Sequence, residues 1–248
     1  MTQWMITGLF FALGIVLGSF GNVVIGRVPK DKSLMGRSAC PRCKRVLSPL
    51  ELIPVASFLF LCGRCHGCGK PISWRYPLVE IVSALLFTIA LSFAMFQWFP
   101  ATALAIAFWT MLMIAAIDYE TQSIPDVLTI VLGIAAIAFH LLSGVPVIIE
   151  GALVAGVFFG AQWMLSRGTW VGSGDVFLGI ALGVLLGSWQ YMVMALMISY
   201  IVGMVAAIIL LMKKRANKNT HIAFGPFLIA GAFVALVFGE KILVTVLP

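Results

Sequence analysis

Long apolar runs broken by short polar turns set the pattern of this chain. Continuous hydrophobic stretches fall at about 4–26, 79–98, 101–117, 125–142, 146–165, 176–188, 190–212 and 223–246. A helix needs about 20 apolar residues to cross a bilayer, and most of these runs approach that length. None shows the alternation over about 10 residues that marks a lipid-facing β-strand. The pattern therefore predicts an all-α polytopic membrane protein of about eight transmembrane helices. Pro100, Pro125 and Pro146 stand at or beside the breaks, where a missing amide hydrogen costs little. The one sizeable polar segment, 27–78, follows the first run. Three regions result: a first transmembrane helix (1–26), a cysteine-rich loop (27–78) and a membrane-embedded core (79–248). The first run lacks a basic leader and a clear small-residue cleavage site, so it reads as a retained span.

Composition strengthens this picture. Of 248 residues, 62% are hydrophobic and 10% charged, against roughly 45–50% and 25% in soluble domains. Mean hydropathy is +1.09. The net charge of +7 invites a nucleic-acid reading, but the placement of the charges argues against it. Ten of the 16 Lys and Arg lie from Arg27 to Arg75, and four more are Lys213, Lys214, Arg215 and Lys218. Basic residues beside membrane spans mark cytoplasmic loops, and they also face the anionic lipid of the inner leaflet.

The same bookkeeping decides whether 176–212 is one helix or two. With eight spans, the segments 27–78, 118–124, 166–175 and 213–222 lie inside, and of all the Lys and Arg only Lys241 falls toward the outside. A single helix over 176–212 puts the Lys213–Lys218 cluster outside, so two are predicted. Asp118 and Asp175 then reach the same membrane face.

A carboxylate at membrane depth costs about 2.5 kcal/mol or more, so each of these acids is a functional-site hypothesis. Two that share a proton can supply both the base and the acid that peptide hydrolysis by water needs. Gly172 and Gly174 in Gly172-Ser-Gly-Asp175 leave room for close backbone approach. Each acid also has a plain reading, with Asp118 marking the end of a span and Asp175 capping the next helix. Glu120 rivals either as partner, whereas Asp126, just after Pro125, looks like a first-turn acid favoured by the helix dipole. His66, His140 and His221 are scattered and form no Ser–His or Cys–His set. His140, inside a span, reads as a packed or interfacial residue.

The loop 27–78 carries all five cysteines. Cys40-Pro-Arg-Cys43 and Cys65-His-Gly-Cys68 are two CxxC pairs separated by 21 residues, a spacing that suits structural zinc. Redox or unligated thiols are the alternative. Cys62 is the odd thiol and His66 a possible substitute ligand. Four protein ligands leave no open position for water, so catalysis is not assigned to the metal.

Taken in order, the motifs resemble those of the type IV prepilin peptidases, bifunctional leader peptidase and N-methyltransferase enzymes of the Gly-x-Gly-Asp intramembrane aspartic protease type. The matching segments are Gly18-Ser-Phe-Gly-Asn-Val-Val24 with Arg27-Val-Pro29, and both CxxC pairs around Glu51-Leu-Ile-Pro54. Further matches are Ser73-Trp-Arg-Tyr-Pro-Leu-Val-Glu80, Asp118 with Ile124-Pro-Asp126, Gly172-Ser-Gly-Asp175 and Phe224-Gly-Pro-Phe227. The resemblance spans nearly the whole chain. It implies that Asp118 and Asp175 are the catalytic pair, in a bacterial inner membrane with the active site at the cytoplasmic face. The implied partners are type IV prepilins or pseudopilins, whose short basic leader is cut after glycine. It further implies that the new N-terminal residue, commonly Phe, is methylated with S-adenosylmethionine. Arg27, Glu51, Arg75 and Glu80 become candidates for methyl transfer or substrate handling, with loop structure or interfacial anchoring as the plain alternative. Phe177 departs from the family, which usually has Lys there, and Cys62 replaces an often basic residue. Losing a cation beside a carboxylate shifts the expected pH optimum upward. Two other functions fit the same residues less well: a zinc-stabilised membrane assembly factor that binds pilins without cutting them, and an intramembrane aspartic protease with other substrates.

Overall fold

A computed structural model describes residues 3–212 and 223–246. Its helices are α1 (Gln3–Arg27), α2 (Ala56–Phe60), α3 (Arg75–Phe93), α4 (Trp98–Thr121), α5 (Asp126–Leu142), α6 (Glu150–Ser166), α7 (Ser173–Leu186), α8 (Trp189–Met212) and α9 (Gly225–Val246). No strand forms among the described residues; two isolated bridges, Ala39 with Val46 and Arg64 with Pro71, occur in the loop. The all-α architecture is as the hydropathy predicts. Five helices, α1, α3, α4, α8 and α9, are long and apolar enough to cross a membrane, and α5 and α7 are shorter apolar helices. The protein is a multi-pass membrane protein. The basic cluster Lys213–Lys218 and His221 lie outside the described residues.

Helix boundaries differ from the hydropathy runs where polar residues still complete helical turns. α3 starts at Arg75, inside the segment expected as loop. α4 continues through Asp118 to Thr121, whose hydroxyl bonds back to the Ile117 carbonyl. Asp118 therefore lies within the last turn of a helix rather than beyond it. The stretch 176–212 is two helices, as charge placement requires. The break is at Gly187, whose φ of +74° suits a residue without Cβ.

The chain divides into two compact units, Met1–Met113 and Ile114–Pro248. In the first, α1 and α3 touch backbone to backbone. A Cβ on Gly14 would stand 2.6 Å from the Ala84 Cα, and one on Gly18 2.6 Å from the Glu80 Cα. In lipid there is little hydrophobic drive between helices, so such small-xxx-small contacts let dispersion hold them. The first part of α4 joins this pair: Trp109 stacks on Phe20 and donates its indole N–H to the Leu17 carbonyl at 3.0 Å.

The second unit uses the same device. A Cβ on Gly183 of α7 would meet the Gly151 and Ala152 backbone of α6 at 2.5 Å. The Gly151 amide donates to the Gly187 carbonyl at 2.8 Å, closing the turn between α7 and α8 against α6. Helix α7 also packs on α5 and α9, and α8 on α9. His140 is a packed residue: its Nε2 lies 2.9 Å from the Val184 carbonyl, where α7 is about to end.

Candidate functional site

Within the second unit, three helix ends bring the acids together. Asp118, in the last turn of α4, is buried with 4% of its surface exposed. Its Oδ2 accepts the Gly225 amide at 2.9 Å. That amide opens α9, so the carboxylate faces the positive end of a helix whose first amide has no partner in its own helix. A Cβ on residue 225 would come within 2.7 Å of the same oxygen. Only glycine permits this approach.

Asp175 stands in the first turn of α7, whose N-cap is Gly172. Asp118 and Asp175 lie within electrostatic reach of one another. Gly174 serves packing rather than turn geometry, because a Cβ there would be 3.0 Å from Ile124, in the turn between α4 and α5. That contact pins the segment following Asp118 to the segment carrying Asp175. The rivals are placed differently. Glu120 and Asp126 are exposed, and Asp126 is the first residue of α5, as a first-turn acid should be. Phe177 is exposed.

Sequence reasoning quoted Gly225 as part of a motif but gave it no role, and it missed Tyr200. Tyr200 of α8 lies within electrostatic reach of Asp175, packs on Phe224 at 5.0 Å between ring centroids, and bonds Gln162 through its hydroxyl at 3.5 Å. The Gly-Pro pair at 225–226 is a helix-start signal that was available. Tyr200, inside a continuous apolar run, carried none.

The cysteine loop belongs to the first unit and folds as two matching turns. Cys40 donates its amide to the Arg45 carbonyl and accepts the Lys44 amide; Cys65 does the same with Lys70 and Gly69. The sulfurs of Cys40, Cys43, Cys65 and Cys68 lie within 4.8 Å of one another. Tetrahedral zinc with Zn–S about 2.3 Å has S–S edges of about 3.8 Å, so this donor set fits a metal with small inward movement. Amides of Cys68 and Gly67 hold the Cys65 thiol down to about 6, and those of Cys43 and Arg42 lower Cys40. At Cys68 the Lys70 amide is outweighed by burial and the neighbouring cysteine side chains, which push the thiol up to about 11. Cys62 and His66 stay outside the cluster.

The other candidates in this unit have partners of their own. Arg27 donates to the carbonyls of Ser33, Leu34, Met35 and Arg37. Glu51 pairs with Arg45 and accepts both the amide and the hydroxyl of Ser48, which keeps its carboxyl below the ordinary range. Arg75 stacks on the Tyr76 ring at 5.0 Å. Glu80, buried in α3, accepts the Val55 amide at 2.7 Å. Val55 pays for this bond in backbone strain, with φ +60° at a β-branched residue.

The chain is similar to known proteins over most of its length. Residues 12–94 match the family described as bacterial peptidase A24 N-terminal domain, and residues 105–208 the type IV leader peptidase family. The chain is 33% identical to the prepilin leader peptidase/N-methyltransferase of Aeromonas salmonicida, over 96% of this chain and 93% of that protein. It belongs to the type IV leader peptidase family. Proteins of the same name in Pseudomonas aeruginosa and Bacillus subtilis are also 33% identical. They cover 93% and 95% of this chain and 89% and 95% of their own lengths. No solved structure matches. Membership makes the chain an enzyme of a protease family, and Asp118 and Asp175 both fall within the leader peptidase match.

Proposed function

We propose that this enzyme removes the short basic leader of type IV prepilins or pseudopilins, cutting after glycine at the cytoplasmic face of a bacterial inner membrane. The observation that carries the reading is that Asp118, held by the α9 amide of Gly225, and Asp175, in the first turn of α7, lie within electrostatic reach of one another. Two carboxylates brought close together share one proton more readily than both ionise, and that proton belongs to the pair. The ionised carboxylate takes a proton from water as it attacks the scissile carbonyl. The protonated partner gives its proton to the carbonyl oxygen, and the leaving amine takes a proton as the bond breaks. Gly172 caps α7 beside the pair, and Gly174 lies in the first turn of that helix rather than in a loop.

The name shared by the relatives supports a second step, N-methylation of the new terminal residue, with S-adenosylmethionine supplying the methyl group. We assign Arg27, Glu51, Arg75 and Glu80 to shaping the segment 27–78 for this step rather than to touching the donor. Arg27, Glu51 and Glu80 already hold partners of their own chain, so these side chains do not fit a donor site and no chemical step is drawn through them. The cysteine cluster holds a structural zinc ion. The region 79–248 is the peptidase core.

Mass spectrometry of a prepilin co-expressed with the wild-type enzyme reads cleavage position and methylation together. Complete leader removal by both Asp118→Asn and Asp175→Asn would end the aspartyl reading. The non-catalytic assembly factor would be favoured only if the leader were also removed in cells lacking this enzyme. A cleaved but unmodified terminus would leave a peptidase alone. Gly225→Ala is expected to slow cleavage by about 100-fold, because displacing a catalytic group by about 1 Å has that effect. The decisive measurement is kcat on a purified prepilin, alongside a melting curve showing the variant folded.

A further inference from the structure

The cysteine loop presents apolar side chains in a segment otherwise rich in cations. Phe60 is 86% exposed, Leu50 75%, Trp74 74% and Leu59 65%. These residues adjoin. The short 3-10 turn Pro49–Leu52 packs on α2, which carries Leu59 and Phe60. Phe58 of α2 meets the Trp74 ring at 4.8 Å. Leu59, Cys62, Ile72 and Trp74 line a mainly apolar groove of about 420 Å³ with Phe58 at its base. Exposed apolar surface of this extent, on one small loop, marks an interaction site.

Helix α3 indicates what covers it. Trp74 keeps helical backbone angles just ahead of Arg75. Trp74, Leu78, Ile81 and Leu85 therefore follow one another at helical spacings of four, three and four. All four are exposed. They form one stripe on a helix long and apolar enough to cross the bilayer. Lipid is the solvent for that stripe, and at its end the Trp74 ring meets the buried Phe58 of α2, whose neighbours Leu59 and Phe60 are exposed. Tryptophan at the end of a span is the usual residue of the headgroup layer. Arg64 and Lys70, beside the groove, are exposed cations of the sign that anionic headgroups attract.

We propose that α2 and the 3-10 turn before it form an interfacial anchor, with Leu50, Leu59 and Phe60 inserted among the lipids next to α3. The segment around α2 is then held twice, by Glu80 through the Val55 amide and by its apolar side chains from the bilayer. This surface is separate from the carboxylate pair and does not depend on the cleavage reading.

The full-length enzyme in nanodiscs of phosphatidylethanolamine and phosphatidylglycerol tests this. The photoreactive residue p-benzoylphenylalanine replaces Phe60, Leu50 or Leu85, one at a time, and adducts are read by mass spectrometry after irradiation. Leu85 reports ordinary lipid contact. Lipid adducts at positions 60 and 50, within about threefold of the yield at 85, are expected for side chains at the acyl boundary. Lipid adducts at 85 alone would overturn the proposal. A dominant crosslink from position 60 to a second copy of the chain, or to another protein, would overturn it as well. All three replaced side chains are exposed, so none of the variants disturbs the core.

Discussion

Asp118→Asn and Asp175→Asn are each expected to lower the rate of leader cleavage by about 10³-fold or more, and the double variant to be no slower than the worse single one. Two acids that act as a unit lose their joint function when either is neutralised, so their effects do not add. Independent acids would multiply their losses instead. Stability separates catalysis from misfolding. An ionisable group at membrane depth costs about 2.5 kcal/mol or more, and asparagine keeps its shape without the charge. Both variants should therefore melt at or above the wild-type temperature while losing activity. For Asp118→Asn the amide oxygen can still accept the Gly225 N–H that now holds Oδ2 at 2.9 Å. A variant that loses activity and stability together would indicate that the acid serves only to fasten α9. Single-turnover cleavage of a purified prepilin, with melting curves for all four proteins, makes the distinction.

How far the chain could be read in advance depends on the range of the interactions. Helices were visible because an apolar run is a local signal, and the α7–α8 break could be inferred from the position of cations some 25 residues away. Span ends were less legible. α4 carries on through Asp118, Tyr119 and Glu120 because hydrogen bonding to the preceding turn does not stop at the first polar side chain. The pairing of Asp118 with Gly225 joins residues 107 positions apart, which no local pattern encodes. Glu51 shows a signal that was available and unused. Ser48-Pro-Leu-Glu51 has the Ser-x-x-Glu spacing of a capping box, and the structure uses Glu51 in that way. The family motif suggested chemistry for it, whereas its spacing indicated a structural role. The small-residue contacts at Gly14, Gly18 and Gly183 were equally hidden, because a glycine in an apolar run does not reveal which backbone it will meet.

Removing metal from the cysteine loop is expected to unfold that loop while leaving the helices intact. From residue 28 to 74 only Cys40, Phe58 and Cys65 are buried, and two of these are members of the sulfur cluster. One buried phenylalanine does not stabilise a segment of this length, and small scaffolds of this kind depend on a staple. A structural zinc site supplies about 10–16 kcal/mol of apparent binding free energy near neutral pH, far above any other term in the loop. The Arg45–Glu51 pair, by contrast, is partly exposed and screened by solvent, so it contributes little. Chelation, or Cys40→Ser, should therefore take the metal content from about one ion per chain to near zero. Trypsin cleavage among Arg37, Arg42, Lys44, Arg45 and Arg64 should speed up by more than about tenfold, as expected when local opening becomes free. Cys62→Ser should change neither quantity, since that thiol stands outside the cluster. Metal analysis and timed proteolysis of the purified enzyme read both effects. A wild-type protein that carries no metal, or a loop equally resistant after chelation, would overturn the structural-zinc assignment. In that event the paired turns would have to be stabilised by their backbone hydrogen bonds and by contact with α3.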